Sequence, residues 1–256
     1  MISGKRTLST IFQKTVNRLY SEFFEQYCFL CAERHSGPLK TLCLPCYRNM
    51  PFFVGSLTLP AHVHALFSYD FPINRILPRF KYRQQLKWQK LILELFRYRL
   101  AEHNLTIPTH CDWIISVPMS RQKKGQRGFN QSELLATITG QVLGIPHRSD
   151  LVHKPRQTRA QASLSKSERQ QNLLSSFAVC PGAQRDIKGS RILIVDDVTT
   201  TGATLSALKQ LLIEQGAEDV FGLCLAATPG PEWQGSAHSE GFEYPERAKD
   251  RITSSV

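Results

Sequence analysis

No apolar run in this 256-residue chain approaches the roughly 20 residues that a membrane-spanning helix needs. The first twenty residues, MISGKRTLSTIFQKTVNRLY, lack the apolar stretch of a secretory signal. Their basic, acid-poor character leaves an organelle transit peptide as the alternative to the expected cytoplasmic location. There is no G-x-x-x-x-G-K-[ST] loop, which argues against a P-loop nucleotide site. No internal repeat and no aromatic-interleaved RNA- or DNA-reading motif occurs. Acid is the scarce charge: 21 Asp and Glu face 32 Lys and Arg, for a net charge of +11. Between Arg75 and Arg169 there are 18 basic and 6 acidic residues, so this block accounts for the whole surplus. It favours polyanionic partners, nucleic acid or a phosphate-rich small molecule, unless it is only a solvated surface.

Seven cysteines are present, and four of them form a compact pattern, Cys28-x2-Cys31-x11-Cys43-x2-Cys46. In a reducing compartment, two such knuckles suit a metal better than disulfides. Four thiolates point to tetrahedral Zn²⁺ in a closed structural site, with an iron–sulfur cluster as the alternative. His35 lies inside the loop but is surplus to a complete set of four. Cys111, Cys180 and Cys224 sit in apolar stretches and read as small core residues.

The spacing predicts an amphipathic helix over residues 10–24, for domain docking or for a membrane surface, and a second helix over residues 84–103. From Cys111 onward, strands alternate with helices. Strands are expected at CDWIISV, at residues 191–195 and at residues 220–226. Helices are expected over residues 129–143 and 204–215, the second closed by Gly216. The expected fold class is therefore α/β, a mainly parallel sheet flanked by helices. The predicted organisation is an N-terminal helix (1–25), a zinc-binding module (26–52), a basic helical connector (53–105), the α/β domain (106–229) and a flexible polar tail (230–256).

The chemistry concentrates in ILIVDDVTTTGATL, residues 192–205. A buried strand delivers Asp196 and Asp197 to its carboxyl end, where open α/β sheets bind ligands. The helix that follows offers unpaired N–H groups suited to a phosphate. Thr200, Thr201 and Thr204 add hydroxyl donors, and Gly202 allows close approach of the backbone. Two carboxylates repel a phosphate but accept hydrogen bonds from vicinal hydroxyls. Acids for a ribose and N–H groups for its 5′-phosphate make one coherent site.

The string resembles the signature that binds phosphoribosyl pyrophosphate (PRPP) in type I phosphoribosyltransferases. Taken with ISVPMSRQKKGQRGFNQSELLA, TRAQASLSKSERQQNL, FKYRQQL and the cysteine module, the chain is similar from about Cys28 to Thr228 to the ComF family (competence protein F). That resemblance implies a type I phosphoribosyltransferase-like fold with a small N-terminal four-cysteine zinc module. It implies that Asp196 and Asp197 hold the ribose hydroxyls, and that Thr199, Thr200, Thr201, Gly202, Ala203 and Thr204 surround the 5′-phosphate. Val117, Pro118, Ser120 and Arg121 would belong to a pyrophosphate loop, and residues 156–161 to a mobile loop. Arg127 and Arg159 are expected to help the leaving group depart, whereas Lys123, Lys124 and Lys154 read as solvated loop charges. Mg²⁺ is expected to bridge PRPP oxygens while keeping several waters. Thr200 stands where purine-type enzymes often carry an Asp, so no general base is supplied there. The implied activity is phosphoribosyl transfer from PRPP to an unidentified acceptor. The alternative is a PRPP-sensing or single-stranded-DNA-binding accessory that acts with competence or DNA-uptake proteins; a zinc-stapled protein scaffold is a third reading.

Overall fold

The computed structural model describes residues 26–53, 59–81, 85–102, 110–155, 176–230 and 244–253. The helix expected over residues 10–24 lies outside them. Two compact units are present, one formed by Met1–Asn49 with Ser239–Val256, the other by Met50–His238.

In the smaller unit, β1 (Gln26–Tyr27) pairs antiparallel with β2 (Arg34–His35), and α1 (Leu44–Arg48) follows. The turn between the two strands carries Ala32 at φ 64°, and its bonds, from Ala32 N–H to Cys28 O and from Cys28 N–H to Glu33 O, fold the first cysteine pair into a tight knuckle. Cys43 caps α1 in extended conformation, Pro45 opens the helix, and Tyr47 N–H donates to Cys43 O. The sequence expects residues 230–256 to be a flexible polar tail, and here the structure differs. Tyr244 is only 4% exposed, its hydroxyl donates to Asn49 O at 3.0 Å, and α8 (Glu246–Thr253) follows it. One aromatic ring with a polar tip is too sparse a signal to set an apolar period, which is why the sequence reads as a tail.

The larger unit holds four parallel strands, β3 (Val63–Ser68), β4 (Trp113–Ser116), β7 (Arg191–Thr199) and β8 (Asp219–Ala227). They form one sheet in the order β3-β8-β7-β4. Ile192 and Ile194 of β7 enter a core with Cys224 and with Leu205, Leu208 and Leu212 of α7 (Ala203–Glu214). The alternate residues Leu193 and Val195 are also wholly buried, so β7 is covered on both faces and carries no polar alternation. Against β4 and β7 packs α5 (Gln131–Leu143), which α3 (Leu86–Leu100) supports together with α2 (Ile73–Phe80). Asn130 caps α5 through a 3.2 Å bond from Ser132 N–H, and Gly144 closes it at φ 73°. The short antiparallel pair β5 (Val152–His153) and β6 (Ala178–Val179), and the short helices α4 (Arg121–Arg127) and α6 (Gln184–Ile187), complete the unit.

Two sequence expectations need correcting here. Residues 53–105 are not only a helical connector, because Val63–Ser68 forms an edge strand of the sheet beside β8. That strand, VHALFS, is short and carries a histidine, and its apolar content alone does not separate it from a loop. The central strand also runs past Val195 to Thr199, because β8 continues to pair with it as far as Thr199↔Ala227. Among the described residues, no helix is long and apolar enough to cross a membrane.

Candidate functional site

β4 stops at Ser116, opposite Val195, while β7 continues on β8 for four more residues. Asp196 and Asp197 therefore lie where β7 has lost one neighbour. Asp196 Oδ1 accepts the Ser132 hydroxyl at 2.7 Å and the Asp197 N–H at 2.9 Å. Asp197 Oδ1 accepts the Val198 N–H at 2.9 Å, and its Oδ2 lies 3.3 Å from Lys81 Nζ. Burial pushes the Asp196 carboxyl up to about 7, and repulsion from Asp197 adds to it; the Ser132 hydroxyl, the Asp197 N–H and Lys81 oppose the rise. The same burial, followed by the two acids, pushes the thiol of Cys224 well above its ordinary range, so this residue opposite Asp196 is an inert core thiol.

Beyond the acids the loop turns on itself. Thr199 is buried, and its hydroxyl accepts the Gly202 N–H at 3.0 Å, so it shapes the loop from within. Gly202 has φ 72°, and a Cβ at this position would lie 2.7 Å from Cδ of Pro60. Both the dihedral angle and the space require glycine. Among the described residues no side chain caps α7, and Thr200, Thr201 and Ala203 are exposed at its start, with Thr204 half-buried.

The neighbouring loop is held from two sides: Val117 N–H donates to Val195 O at 3.0 Å, and Asn130 Nδ2 donates to Val117 O at 3.1 Å. Ser120 then caps α4, accepting the Lys123 N–H at 3.3 Å. Pro118, Met119 and Arg121 form one wall of a cavity of about 510 Å³ whose other walls include Arg148, His153 and Lys154. Lys123 and Lys124 are exposed, as expected of solvated charges, and Lys124 pairs with Glu133 at 3.2 Å. Lys154 differs from that expectation. It is half-buried with its ammonium 5.3 Å from the centre of the Phe177 ring, and burial pulls its pKa down. Arg127 is half-buried, with Nη1 3.3 Å from Gln131 Oε1. Arg159 and residues 156–161 lie outside the described residues.

Ser132 and Lys81 are the site residues that sequence reasoning missed. Both lie inside quoted motifs, GFNQSELLA and FKYRQQL. Only the approach of α2 and α5 to the strand end, from 116 and 64 positions away in the chain, brings them to the acids.

In the smaller unit, one ligand atom from each of Cys28, Cys31, Cys43 and Cys46 lies within 4.8 Å of the others. The Cys31–Cys43 separation of 3.7 Å matches the edge of a tetrahedron, about 3.8 Å, set by zinc–sulfur bonds of about 2.3 Å. All four thiols are free and buried. Hydrogen bonds from Cys43 and Cys46 hold the Cys28 thiol far below its usual range, and the same bonds raise Cys46 and push Cys43 up to about 12. Such crowding of thiols around one shared centre is the arrangement a thiophilic cation relieves. His35 uses Nδ1 to accept the Gly37 N–H at 3.3 Å and is not one of the cluster.

Residues 130–237 match the model of the phosphoribosyl transferase domain. Competence protein F of Haemophilus influenzae is 31% identical over 161 residues, which cover 60% of this chain and 69% of that protein. The DNA utilization protein YhgH of Escherichia coli K12 is 36% identical over 138 residues, 54% of this chain and 57% of that protein. The competence protein ComFC of Streptococcus pneumoniae is 31% identical over 157 residues, 61% and 64% of the two chains. The chain thus spans from a little over half to about two thirds of these relatives. Among solved structures, an adenine phosphoribosyltransferase from Leishmania tarentolae aligns at a TM-score of 0.38 with 16% identity, over 66% of this chain and 92% of that one. That likeness is too loose to carry the fold assignment, which rests on the parallel sheet and the matched domain. On the identity to competence protein F and the share of its length covered, the chain belongs to the ComF family of phosphoribosyltransferase-like proteins.

Proposed function

We propose that this protein binds PRPP across the ends of β7 and β4 and transfers its phosphoribosyl group to an acceptor. The observation that carries this reading is the pairing of two acids with an uncapped helix start a few residues beyond them, joined by a loop that only glycine can close. Asp196 and Asp197 accept hydrogen bonds from the ribose hydroxyls, and the first N–H groups of α7 with Thr200, Thr201 and Thr204 bind the 5′-phosphate. Thr199 supports that loop from inside. The Val117–Arg121 loop faces the pyrophosphate, and Arg127 and Arg159 supply positive charge as it leaves. The C1–oxygen bond breaks with its electron pair going to pyrophosphate, the acceptor forms the new bond at C1 with inversion, and the acceptor's proton is lost. Because Thr200 is no base at neutral pH, that proton passes to another group or to water. A divalent cation such as Mg²⁺, if bound with the ligand, would add to the neutralisation of the pyrophosphate. Cys28, Cys31, Cys43 and Cys46 would hold a Zn²⁺ whose contribution would be structural, four thiolates forming a complete ligand set.

The test is pyrophosphate release from PRPP by zinc-loaded protein, across a panel of bases and amines. Release with at least one acceptor, absent from the Asp196→Ala/Asp197→Ala variant, supports transfer. PRPP binding without release from any acceptor refutes it and selects a second reading, a PRPP-responsive accessory that binds single-stranded DNA and acts with DNA-uptake proteins. That reading draws on the exposed basic face of α4, none of whose residues is buried, and on the competence and DNA-utilization names of its relatives. Counterion release then requires DNA affinity to fall steeply with salt. Salt-independent or undetectable binding argues against it.

A further inference from the structure

Asp197 has a cation beside it that the ligand-free site does not need for hydrogen bonding. Lys81 Nζ lies 3.3 Å from Asp197 Oδ2, yet among the described residues that oxygen accepts no hydrogen bond. The two are a charge pair in contact, without the directional bond that would lock them together. The lysine backbone, in contrast, is fixed. Lys81 ends α2, where Ile73, Ile76, Leu77 and Phe80 are wholly buried, its N–H donates to Pro78 O, and its carbonyl accepts Gln131 Nε2 at 3.4 Å. A rooted main chain with a side chain still 30% exposed describes a lysine able to turn toward an arriving anion.

Which anion it meets follows from the sugar. The carbon that bears the pyrophosphate neighbours the carbon that bears the 2′-hydroxyl. A carboxylate that accepts from the vicinal hydroxyls therefore lies beside the first pyrophosphate oxygens, and a cation held on it reaches them. We propose that Lys81 is a ligand-binding residue of this site: its ammonium, held beside Asp197, meets the pyrophosphate of PRPP and shares with the divalent cation the neutralisation of that group. The proposal rests on the PRPP reading above. It gives the site a metal-independent component of affinity and assigns to the FKYRQQL segment a role in recognising the pyrophosphate end of the ligand.

The experiment is calorimetric titration of the zinc-loaded full chain with PRPP and with ribose 5-phosphate, in Mg²⁺ and again with Mg²⁺ withheld from zinc-loaded, chelator-free buffer. Lys81→Met and Lys81→Arg are compared with the unaltered protein. A charge-assisted contact corresponds to about 10- to 100-fold in affinity. We expect Lys81→Met to weaken PRPP by that factor in Mg²⁺ and by a larger factor without it, while ribose 5-phosphate, which lacks the pyrophosphate, binds within about twofold of the unaltered protein. Lys81→Arg, which keeps the charge, recovers most of the loss. If Lys81→Met and the unaltered protein lose the same factor when Mg²⁺ is withheld, or if ribose 5-phosphate weakens as much as PRPP, Lys81 is only a counter-ion to the acids and the inference is overturned. If the unaltered protein binds no PRPP even with Mg²⁺, the PRPP reading itself falls and the inference with it.

Discussion

Replacing Gly202 by alanine tests whether the phosphate loop is built as described. Two costs are readable from the structure. At φ 72° an alanine takes up a left-handed conformation, which costs about 1–2 kcal/mol. Its Cβ would also lie 2.7 Å from Pro60 Cδ and 3.1 Å from Pro60 Cγ, and crowding of this kind costs about 1–3 kcal/mol. The sum is about 2–5 kcal/mol. Urea unfolding slopes of about 2 kcal/mol per molar turn this into a fall in midpoint of roughly 1–2.5 M. Trp88 and Trp113 both belong to the sheet unit, so tryptophan fluorescence reports on its unfolding. A Pro60→Ala change in the Gly202→Ala background removes the crowding and leaves the dihedral cost, so a double-mutant cycle should give a coupling of about 1–3 kcal/mol. A midpoint shift below about 0.3 M, or a coupling within about 0.5 kcal/mol of zero, refutes this account of the loop.

Asp196 is held at a cost in stability. Its carboxyl has about 7 in the folded chain against an ordinary 3.8, so the folded state binds the proton more tightly than the unfolded state. This group therefore adds stability as pH falls from about 7 toward 4 and removes it as pH rises through 7, by about 4 kcal/mol at most. Asp196→Asn should raise the melting temperature at pH 8, flatten its dependence on pH between 4 and 7, and weaken PRPP; a lower melting temperature at pH 8 contradicts the assignment. Ser132→Ala removes a bond that favours the ionised carboxyl, so the Asp196 titration followed by carboxyl carbon NMR should move further up, and a downward move contradicts the geometry. Metal analysis should find one zinc per chain, lost in Cys31→Ser. Tyr244→Phe deletes the hydroxyl that bonds Asn49 O and Cys46 O, and should speed zinc release to a colorimetric chelator severalfold; an unchanged rate shows that the C-terminal segment does not support the module.

The parts of this protein that were legible in its sequence are those set by local rules. The run Ile192–Val195 announces a doubly covered strand, because strand interiors of parallel sheets tolerate only apolar residues. Gly202 and the threonines around it mark a turn into a helix, and the Cys-x2-Cys pairs mark their own knuckles. What was hidden depends on contacts between distant segments. Ser132 and Lys81 are ordinary residues of a helix start and a helix end, and nothing local distinguishes them from solvated neighbours. The edge strand Val63–Ser68 owes its existence to β8, which lies more than 150 residues later in the chain. Tyr244 likewise has a role only through the backbone carbonyls near Cys46. The extension of β7 to Thr199 has the same origin: β8 keeps the strand regular through two acids and a threonine that would by themselves favour a turn.

The central claim is that Asp196, Asp197 and the start of α7 bind one phosphorylated ribose. Titration calorimetry of PRPP with Mg²⁺, comparing the unaltered protein with Asp196→Ala/Asp197→Ala, measures it directly. Loss of the ribose hydrogen bonds to two carboxyl groups predicts a fall in affinity of at least about 100-fold. Equal affinity in the two proteins, or no binding in either, contradicts the account.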